Sequence, residues 1–334
     1  MTAAQPLATR TVPGDGEPAT RGLPARGTTR TTGERPSLRQ SRRRSQLIAW
    51  GFLAPVIVYL VVFYAYPIVR NLLMGFQEYT VLSFVTGEAP FIGLGNYLDV
   101  VSNPLFWPTV ANTAIFTVAS LVFQFTIGLA LAQFFVKRFP LSTVLRSLFL
   151  LPWLLPLIVS GSVWKWMLDK DYGIINAFLG LFGIPAVGWT VDPSVSLIAV
   201  IIVNIWIGVP FNMVILYGGL QAIPESLYEA AALDGAGPWR TFTRITIPLL
   251  RPVTAVVLLL GLVYTLKVFD VIWIVTQGGP ANSSQTLSTW SYQLSFGPQL
   301  QFGLGAAAGN ILILVAFVFG LIYIHAQRRM EEER

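Results

Sequence analysis

The 334-residue chain has no cysteine, one histidine and few charges, since only 11% of its residues are Asp, Glu, Lys or Arg. Without cysteine there is no disulfide, no Cys-ligated zinc and no thiol catalysis. One imidazole cannot build a metal site or a catalytic triad, so the sequence predicts no metal and no catalytic residue. Soluble domains carry roughly 25% charged residues, whereas 54% of this chain is hydrophobic. A water-soluble globular domain is therefore excluded, and a membrane protein is expected.

The charges that are present lie unevenly along the chain. Residues 1–46 contain nine Arg against three acidic residues, a net charge of +6 that equals that of the whole chain. This segment has neither apolar periodicity nor interleaved aromatic residues. We therefore expect a disordered basic cytoplasmic tail and no binding of nucleic acid.

The rest of the chain contains long apolar segments. A helix needs roughly 20 apolar residues to cross a bilayer, and six segments meet this requirement: 48–69, 110–135, 146–168, 195–220, 253–275 and 304–325. Pro152 and Pro156 interrupt the third segment. The pattern predicts an all-α, multi-pass protein of the cell (inner or plasma) membrane, surrounded by the lipid bilayer, with six transmembrane helices in residues 47–326 and a tail at 327–334.

The Lys and Arg residues predict the orientation of these spans. Loops 71–109 and 276–303 contain neither residue type, whereas the segments on the opposite side of the spans hold most of them. Because positively charged loops stay inside the cell, both termini are predicted to be cytoplasmic.

The cytoplasmic loop 221–252 contains signals for two short helices. Pro224 suits the first turn of a helix that Gly235 can end, and Pro238 suits the start of a second helix that Pro248 is expected to close. The pattern predicts a helix–turn–helix outside the bilayer. From the residues alone, a loop that simply packs on its own spans is the favoured interpretation.

The residues of this loop resemble a known motif. Glu229-Ala230-Ala231, Asp234-Gly235-Ala236 and Ile247-Pro248 resemble the EAA loop of permease subunits in binding-protein-dependent ABC importers. The resemblance implies the type I ABC importer permease fold. It also implies a coupling helix that docks on an ATPase subunit through the positions Glu229, Ala230, Ala231, Asp234 and Gly235.

The chain itself has no ATP-binding motif. None of its four Lys residues follows a glycine, so no GxxxxGK[ST] sequence exists. We therefore expect no cofactor and no enzymatic activity in this chain, and by resemblance ATP and Mg bind to a separate ATPase dimer.

Polar residues inside the predicted spans are candidates for function because such groups are costly in lipid. From chemistry alone, Asn204 and Gly208 suit a midplane solute site and helix–helix contact equally well. The segment 203–211 resembles the fourth core span of maltose-type permeases, and span five matches as well. The resemblance implies that the carbohydrate pathway is lined by Asn204, Ile207, Gly208, Phe211, Gly261, Tyr264 and Thr265. Gln124 and Asn310 are instead expected to form hydrogen bonds between helices.

Span five also contains two opposite charges three residues apart, Lys267 and Asp270. On one helix they would share a face and pair. Two interpretations stay open: an ion pair that locks the packing of the spans, and a contribution to a gate or to the substrate path.

The resemblance covers approximately residues 48–326. It implies the transmembrane subunit of an ATP-driven importer for a carbohydrate or related polyol. The implied partners are a second homologous permease, an ABC ATPase dimer and an extracytoplasmic substrate-binding protein. An ion-gradient-driven secondary carrier is the alternative, although Lys267 and Asp270 are its only ionisable candidates. An intramembrane enzyme is disfavoured because paired carboxylates and a Ser–His set are missing.

Overall fold

The computed structural model of the protein describes residues 38–137 and 139–332. Within these ranges the secondary structure is helical apart from one isolated antiparallel bridge between Gln77 and Phe91. The prediction of an all-α protein is thus confirmed. The described residues fall into an N-terminal unit that ends at Tyr59 and a larger unit that begins at Leu60, and everything that follows on packing concerns the larger unit.

The α-helices of the described ranges are α1 (Leu38–Leu60), α2 (Tyr66–Met74), α3 (Val81–Thr86), α4 (Gly95–Ser102), α5 (Phe106–Val136), α6 (Ser142–Phe149), α7 (Leu151–Leu154), α8 (Leu157–Met167), α9 (Ile174–Gly180), α10 (Ser196–Gln221), α11 (Glu225–Leu233), α12 (Pro238–Thr241), α13 (Ile247–Leu266), α14 (Asp270–Val275), α15 (Leu287–Phe296) and α16 (Phe302–Glu332). Two π-helical segments join neighbouring helices: Val61–Ala65 leads into α2, and Phe242–Thr246 leads into α13.

In the part of the chain that the structure describes, five helical stretches are long and apolar enough to cross a membrane: Ala49–Met74, Phe106–Val136, Ser196–Gln221, Pro238–Leu266 and Phe302–His325. A sixth candidate is the pair Ser142–Leu154 and Leu157–Met167, which bends by 95° at its break. Each of the six predicted segments overlaps one of these stretches, although the fifth, predicted as 253–275, is observed as Pro238–Leu266. The bend falls where Pro152 and Pro156 were expected to interrupt the third span.

The ends of the chain differ from the predicted tails. Helix α1 begins at Leu38, so it starts inside the predicted tail 1–46. Residues 1–37 lie outside the described ranges. At the other end α16 continues to Glu332, through most of the predicted tail 327–334.

Each π-helical segment ends two residues before a proline, Pro67 in one case and Pro248 in the other. A proline ring clashes with the carbonyl group four residues earlier in a regular α-helix. In the π turn before Pro248, the Ile247 N–H donates to the Phe242 carbonyl five residues back, which widens the backbone at that point. The helix therefore continues through Pro248. The prediction that Pro248 closes a short second helix is wrong, because this helix runs on into the fifth span.

Helices α5 and α10 form the centre of the larger unit. The side chain of Gln124 on α5 reaches α10, where its Nε2 donates to the Asn204 carbonyl oxygen at 2.9 Å. Two hydrophobic clusters pack around these two helices. The first includes Phe116, Val203 and Ile272, and the second includes Met213 and Leu250. The predicted interhelical role of Gln124 is thus confirmed.

The fifth span ends earlier than predicted. Helix α13 stops at Leu266, residues 267–269 are not helical, and the short helix α14 follows from Asp270. The Val268 carbonyl, which a continuous helix would use internally, instead accepts a hydrogen bond from Ser288 Oγ at 2.6 Å. A contact from a residue twenty positions away thus stabilises the break.

A hydrogen-bonded loop, residues 276–286, follows α14, and we refer to it as the Pro280 turn. Ser284 Oγ lies 2.7 Å from Thr276 Oγ1 and donates to the Gly279 carbonyl at 2.7 Å. Asn112 on α5 donates from Nδ2 to the carbonyl groups of Ser283 and Gln285, each at 3.1 Å. The loop is therefore fixed by bonds within the chain.

Candidate functional site

A cavity of about 450 Å³ lies between α5, α10, α13 and the two short helices α7 and α14. Its walls combine amides, aromatic rings, aliphatic side chains and two charged groups. The lining residues are Gln124, Trp153, Leu155, Leu157, Asn204, Ile207, Gly208, Phe211, Asn212, Gly261, Tyr264, Thr265, Lys267, Val268, Asp270 and Val271.

All of the residues predicted for the substrate pathway line this single cavity. The structure brings the two groups together, one from α10 (Asn204, Ile207, Gly208, Phe211) and one from α13 (Gly261, Tyr264, Thr265), although some 50 residues of sequence separate them. Lys267 and Asp270 line it too. The geometry is therefore that of one site, and the identity of its ligand is a separate question.

Several lining residues were not predicted from the sequence, among them the aromatic Trp153 and the polar Asn212. Asn212 lies eight residues after Asn204, hence on the same helix face, and that spacing could have revealed it. Its Nδ2 donates to the Gly208 carbonyl at 2.9 Å. Trp153 lies in α7, between Pro152 and Pro156, and its position depends on the 95° bend. No local sequence signal predicts that bend angle.

Asn204 is the central polar residue of the cavity. Its side chain is 5% exposed, and its Nδ2 has no hydrogen-bond partner in the described part of the chain. An amide group in an apolar setting without a partner is costly. Within the described ranges, Asn204 Nδ2 is therefore a buried donor in this wall whose hydrogen bond is not satisfied by the chain.

Gly208 lies opposite the Gln124 side chain, one helical turn after Asn204. A Cβ atom at Gly208 would collide with the amide of Gln124. That position must therefore be a glycine if Gln124 is to reach the Asn204 carbonyl. The close approach of α5 to α10 and the shape of the cavity wall depend on the same residue.

Three aromatic rings form one side of the cavity. The ring of Phe211 lies 5.9 Å from that of Trp153 and 5.9 Å from that of Tyr264, edge to face at 83° in the second case. Such rings offer apolar faces of the kind that stack on a pyranose ring, and the amides nearby offer hydrogen bonds to hydroxyl groups. The chemistry suits a polyhydroxylated solute.

Lys267 and Asp270 do not form the ion pair that a continuous helix would have given them. Lys267 follows the last residue of α13 and Asp270 begins α14, so the expected common helix face does not exist. In the described ranges the Lys267 ammonium lies 4.9 Å from the centre of the Tyr264 ring, and no carboxylate is within ion-pairing distance. The ion pair of the first interpretation is thus not formed within the described ranges, and the contribution to a gate or to the substrate path stays a prediction.

The second feature of functional interest is the helical hairpin, residues 225–246. Helix α11 ends in a Schellman motif: the Ala236 N–H donates to the Ala231 carbonyl at 2.9 Å, and the Gly235 N–H donates to the Ala232 carbonyl at 3.1 Å. Gly235 has φ +72°, the left-handed conformation that glycine adopts at no steric cost. The predicted turn at Gly235 is confirmed.

The hairpin displays its side chains rather than burying them. Leu233 is 90% exposed and Trp239 is 75% exposed. Glu229, Ala230 and Asp234 of the motif are also exposed, whereas Ala231 is buried. The Tyr228 hydroxyl meets Thr246 Oγ1 at 3.2 Å and ties α11 to the π segment. The hairpin is thus rigid and carries uncovered apolar residues.

No group of three or more His, Asp or Glu side chains that could hold a metal ion occurs in the described residues. Helices that span a membrane, an internal polar cavity and a rigid exposed hairpin define a component of a membrane transport system. Residues 124–332 match the model of the family described as "Binding-protein-dependent transport system inner membrane component". The chain belongs to this family.

Relatives extend the match over most of the chain. It is 32% identical over 286 residues to the trehalose/maltose transport system permease protein MalF of Thermococcus litoralis, covering 85% of this chain and 95% of the relative. It is 33% identical over 296 residues to the lactose transport system permease protein LacF of Rhizobium radiobacter, covering 86% and 96%. Both are permease proteins of sugar transport systems.

A solved structure agrees with the fold. The structure of a bacterial ABC transporter involved in the import of the acidic polysaccharide alginate matches with a TM-score of 0.76 and 25% identity, covering 88% of this chain and 99% of that one. The same kind of transporter, in complex with an alginate pentasaccharide-bound periplasmic protein, matches with a TM-score of 0.75. The predicted importer permease fold is thus confirmed.

Proposed function

We propose that this chain carries a carbohydrate or related polyol through the membrane by way of the cavity around Asn204. The observation that carries this proposal is the convergence of the unpartnered Asn204 amide with the Trp153, Phe211 and Tyr264 rings in one cavity. The named substrates of the relatives, trehalose, maltose and lactose, support the same chemical class.

The energy for transport comes, in this proposal, from separate subunits. A second homologous permease completes the pathway, an ABC ATPase dimer binds ATP and Mg, and an extracytoplasmic binding protein delivers the solute. The neighbour solved with a periplasmic protein supports this arrangement. The helical hairpin faces the cytoplasm, together with both termini, and Glu229, Ala230, Ala231, Asp234 and Gly235 connect it to the ATPase.

The mechanism that we infer is alternating access. The hairpin is a rigid lever because the Schellman motif and the Tyr228–Thr246 contact fix it, and it is continuous with α13, which lines the cavity. A movement imposed on the hairpin is therefore transmitted along one helix to Gly261, Tyr264 and Thr265. The cavity then opens to one side of the bilayer or the other.

The test is uptake by the reconstituted importer. Proteoliposomes with the permease pair, the ATPase subunits and the binding protein are expected to accumulate labelled maltose, trehalose or lactose only when ATP is supplied. Asn204→Ala is expected to lower uptake between about twofold and tenfold, the worth of one hydrogen bond. Ile202→Ala, an exposed position on the same helix, is the matched control.

Three outcomes would contradict the proposal. Uptake by this chain alone, driven by an ion gradient without ATP, would favour the secondary carrier. Unchanged kinetics in Asn204→Ala would remove the amide from the pathway. Failure of the whole complex to transport any sugar in the panel would exclude the substrate class.

A further inference from the structure

The cavity contains two charged side chains of opposite sign and fourteen neutral residues. Lys267 contributes an ammonium group and Asp270 a carboxylate. The formal charge of this chain's part of the cavity is therefore zero. Two residues separate the two positions, so their Cα atoms are at most about 11 Å apart, three Cα–Cα steps of extended chain.

Each charge is stabilised by its own surroundings rather than by the other. Lys267 follows the C-terminus of α13, where the helix dipole favours a cation. The Tyr264 ring, 4.9 Å from the ammonium, adds a cation–π contact. Asp270 is in the first turn of α14, where the dipole favours an anion. The two groups therefore keep hydrogen-bonding capacity that an ion pair would consume.

We propose that Lys267 and Asp270 select solutes by charge, admitting uncharged polyhydroxylated solutes and disfavouring acidic and basic sugars. The inference rests on the proposed function and names the charge class of its substrate. A hydroxyl group both accepts and donates, so neighbouring hydroxyls can bond to the ammonium and the carboxylate together. A carboxylated sugar meets Asp270 when it approaches Lys267, and an amino sugar meets Lys267 when it approaches Asp270. The cavity thus penalises either charge.

The absence of cysteine from the chain provides a direct test. Val268→Cys places one thiol in the cavity wall between the two charges. In the purified importer complex, the rate at which a neutral maleimide labels this chain is measured by mass spectrometry. Protection is compared for three probes that share one ring: methyl glucoside, methyl glucuronide and methyl 6-amino-6-deoxyglucoside.

In the Val268→Cys background, the neutral glucoside is expected to protect the thiol at a lower concentration than either the glucuronide or the amino sugar. Adding Asp270→Asn is expected to lower the half-protecting concentration of the glucuronide, relative to the glucoside, by about tenfold. Adding Lys267→Gln is expected to do the same for the amino sugar. Lys170→Gln and Asp171→Asn change the same charges at exposed positions outside the cavity wall, and no shift in preference is expected from them.

The inference is overturned if Asp270→Asn and Lys267→Gln leave the preference among the probes unchanged, or if the control pair shifts it equally. If Val268→Cys does not assemble, Leu157→Cys, which also lines the cavity, takes its place. ATP-driven uptake by the complex that contains the parent, cysteine-free chain is measured in parallel. Loss of both uptake and protection refutes the proposed function, whereas uptake or protection that is indifferent to these charges refutes the charge selection alone.

Discussion

The helical hairpin and the Pro280 turn flank the fifth span in sequence, and they are stabilised in opposite ways. In the Pro280 turn Ser284 and Gln285 are fully buried, and donors from Asn112 reach its backbone. In the hairpin Leu233 and Trp239 are largely exposed. The hairpin is held by the turn at Gly235 and by the contact of the Tyr228 hydroxyl, which connects α11 to the following π segment.

The difference agrees with the proposed function, in which a partner subunit covers one end of the span. The Pro280 turn is held by hydrogen bonds within the chain, although the buried Gln285 Oε1 has no partner among the described residues. The hairpin is locally rigid but leaves apolar residues uncovered, as expected of a surface that a partner subunit covers. Substitutions in the hairpin should therefore impair transport without unfolding the protein, and substitutions in the turn should impair stability first.

The largest effect is expected at Gly235. Gly235→Val forces a β-branched residue to φ +72°, a conformation that such residues avoid, and it breaks the Schellman motif. ATP-driven uptake in proteoliposomes is expected to fall by more than about tenfold, because a lever that has lost its turn transmits less movement. The loss of stability in the purified protein should be limited to the backbone strain of about 1–2 kcal/mol, since a Cβ at Gly235 meets nothing within 4 Å.

Gly237 provides the matched control for this substitution. Its Cβ would also meet nothing within 4 Å, but its φ of −70° suits any residue. Gly237→Val should therefore retain most of the uptake. Equal loss in both variants would show that bulk, and not the turn, causes the defect. Glu229→Lys, which reverses an exposed charge of the motif, should also lower uptake while the protein stays in the membrane.

A smaller effect, on stability rather than on uptake, is expected at Gly278 in the Pro280 turn. Gly278→Ala places a Cβ at φ +80° and against the Gln285 side chain. We expect a loss of about 2–4 kcal/mol in stability from the backbone strain and the collision together, seen as a lower unfolding midpoint in detergent. Gly278→Ala with Gln285→Ala should recover part of it. A midpoint lowered no further than that of Gly235→Val, which carries the backbone strain without the collision, would contradict the comparison.

The contrast between the two ends was only partly predictable from sequence. The turn at Gly235 could be predicted because a glycine at the end of a helix is a local sequence signal. The extent of the flanking helices was not: Pro248 was expected to stop a helix, but the π segment Phe242–Thr246 lets the helix pass. A local rule for proline cannot foresee such an adjustment of the backbone.

The break after Leu266 was missed for a different reason. No glycine or proline occurs in residues 266–270, so nothing local ends the helix there. The break depends on Ser288, which satisfies the Val268 carbonyl from twenty residues away. The pathway residues, in contrast, were assigned by motif, and the structure places all of them in one cavity. The motifs thus identified these residues of the cavity wall, while tertiary contacts determined the positions of Lys267 and Asp270 in it.

The smallest effect is expected at Asn112, which connects α5 to the Pro280 turn. Its Nδ2 lies 3.1 Å from the Ser283 and Gln285 carbonyl oxygens. Asn112→Asp keeps the shape but replaces the donor by an acceptor that faces carbonyl groups. We expect a loss of about 1–3 kcal/mol in stability, the cost of leaving such groups without a partner.

The unfolding midpoint in detergent measures this effect, with Val118→Ala, an exposed position on the same helix, as the control. Uptake per folded molecule should stay near that of the parent protein, because Asn112 does not line the cavity. If Asn112→Asp instead abolished uptake at an unchanged midpoint, the Pro280 turn would have to move during transport. The helical hairpin and the Pro280 turn would then both move during transport, although different contacts hold them.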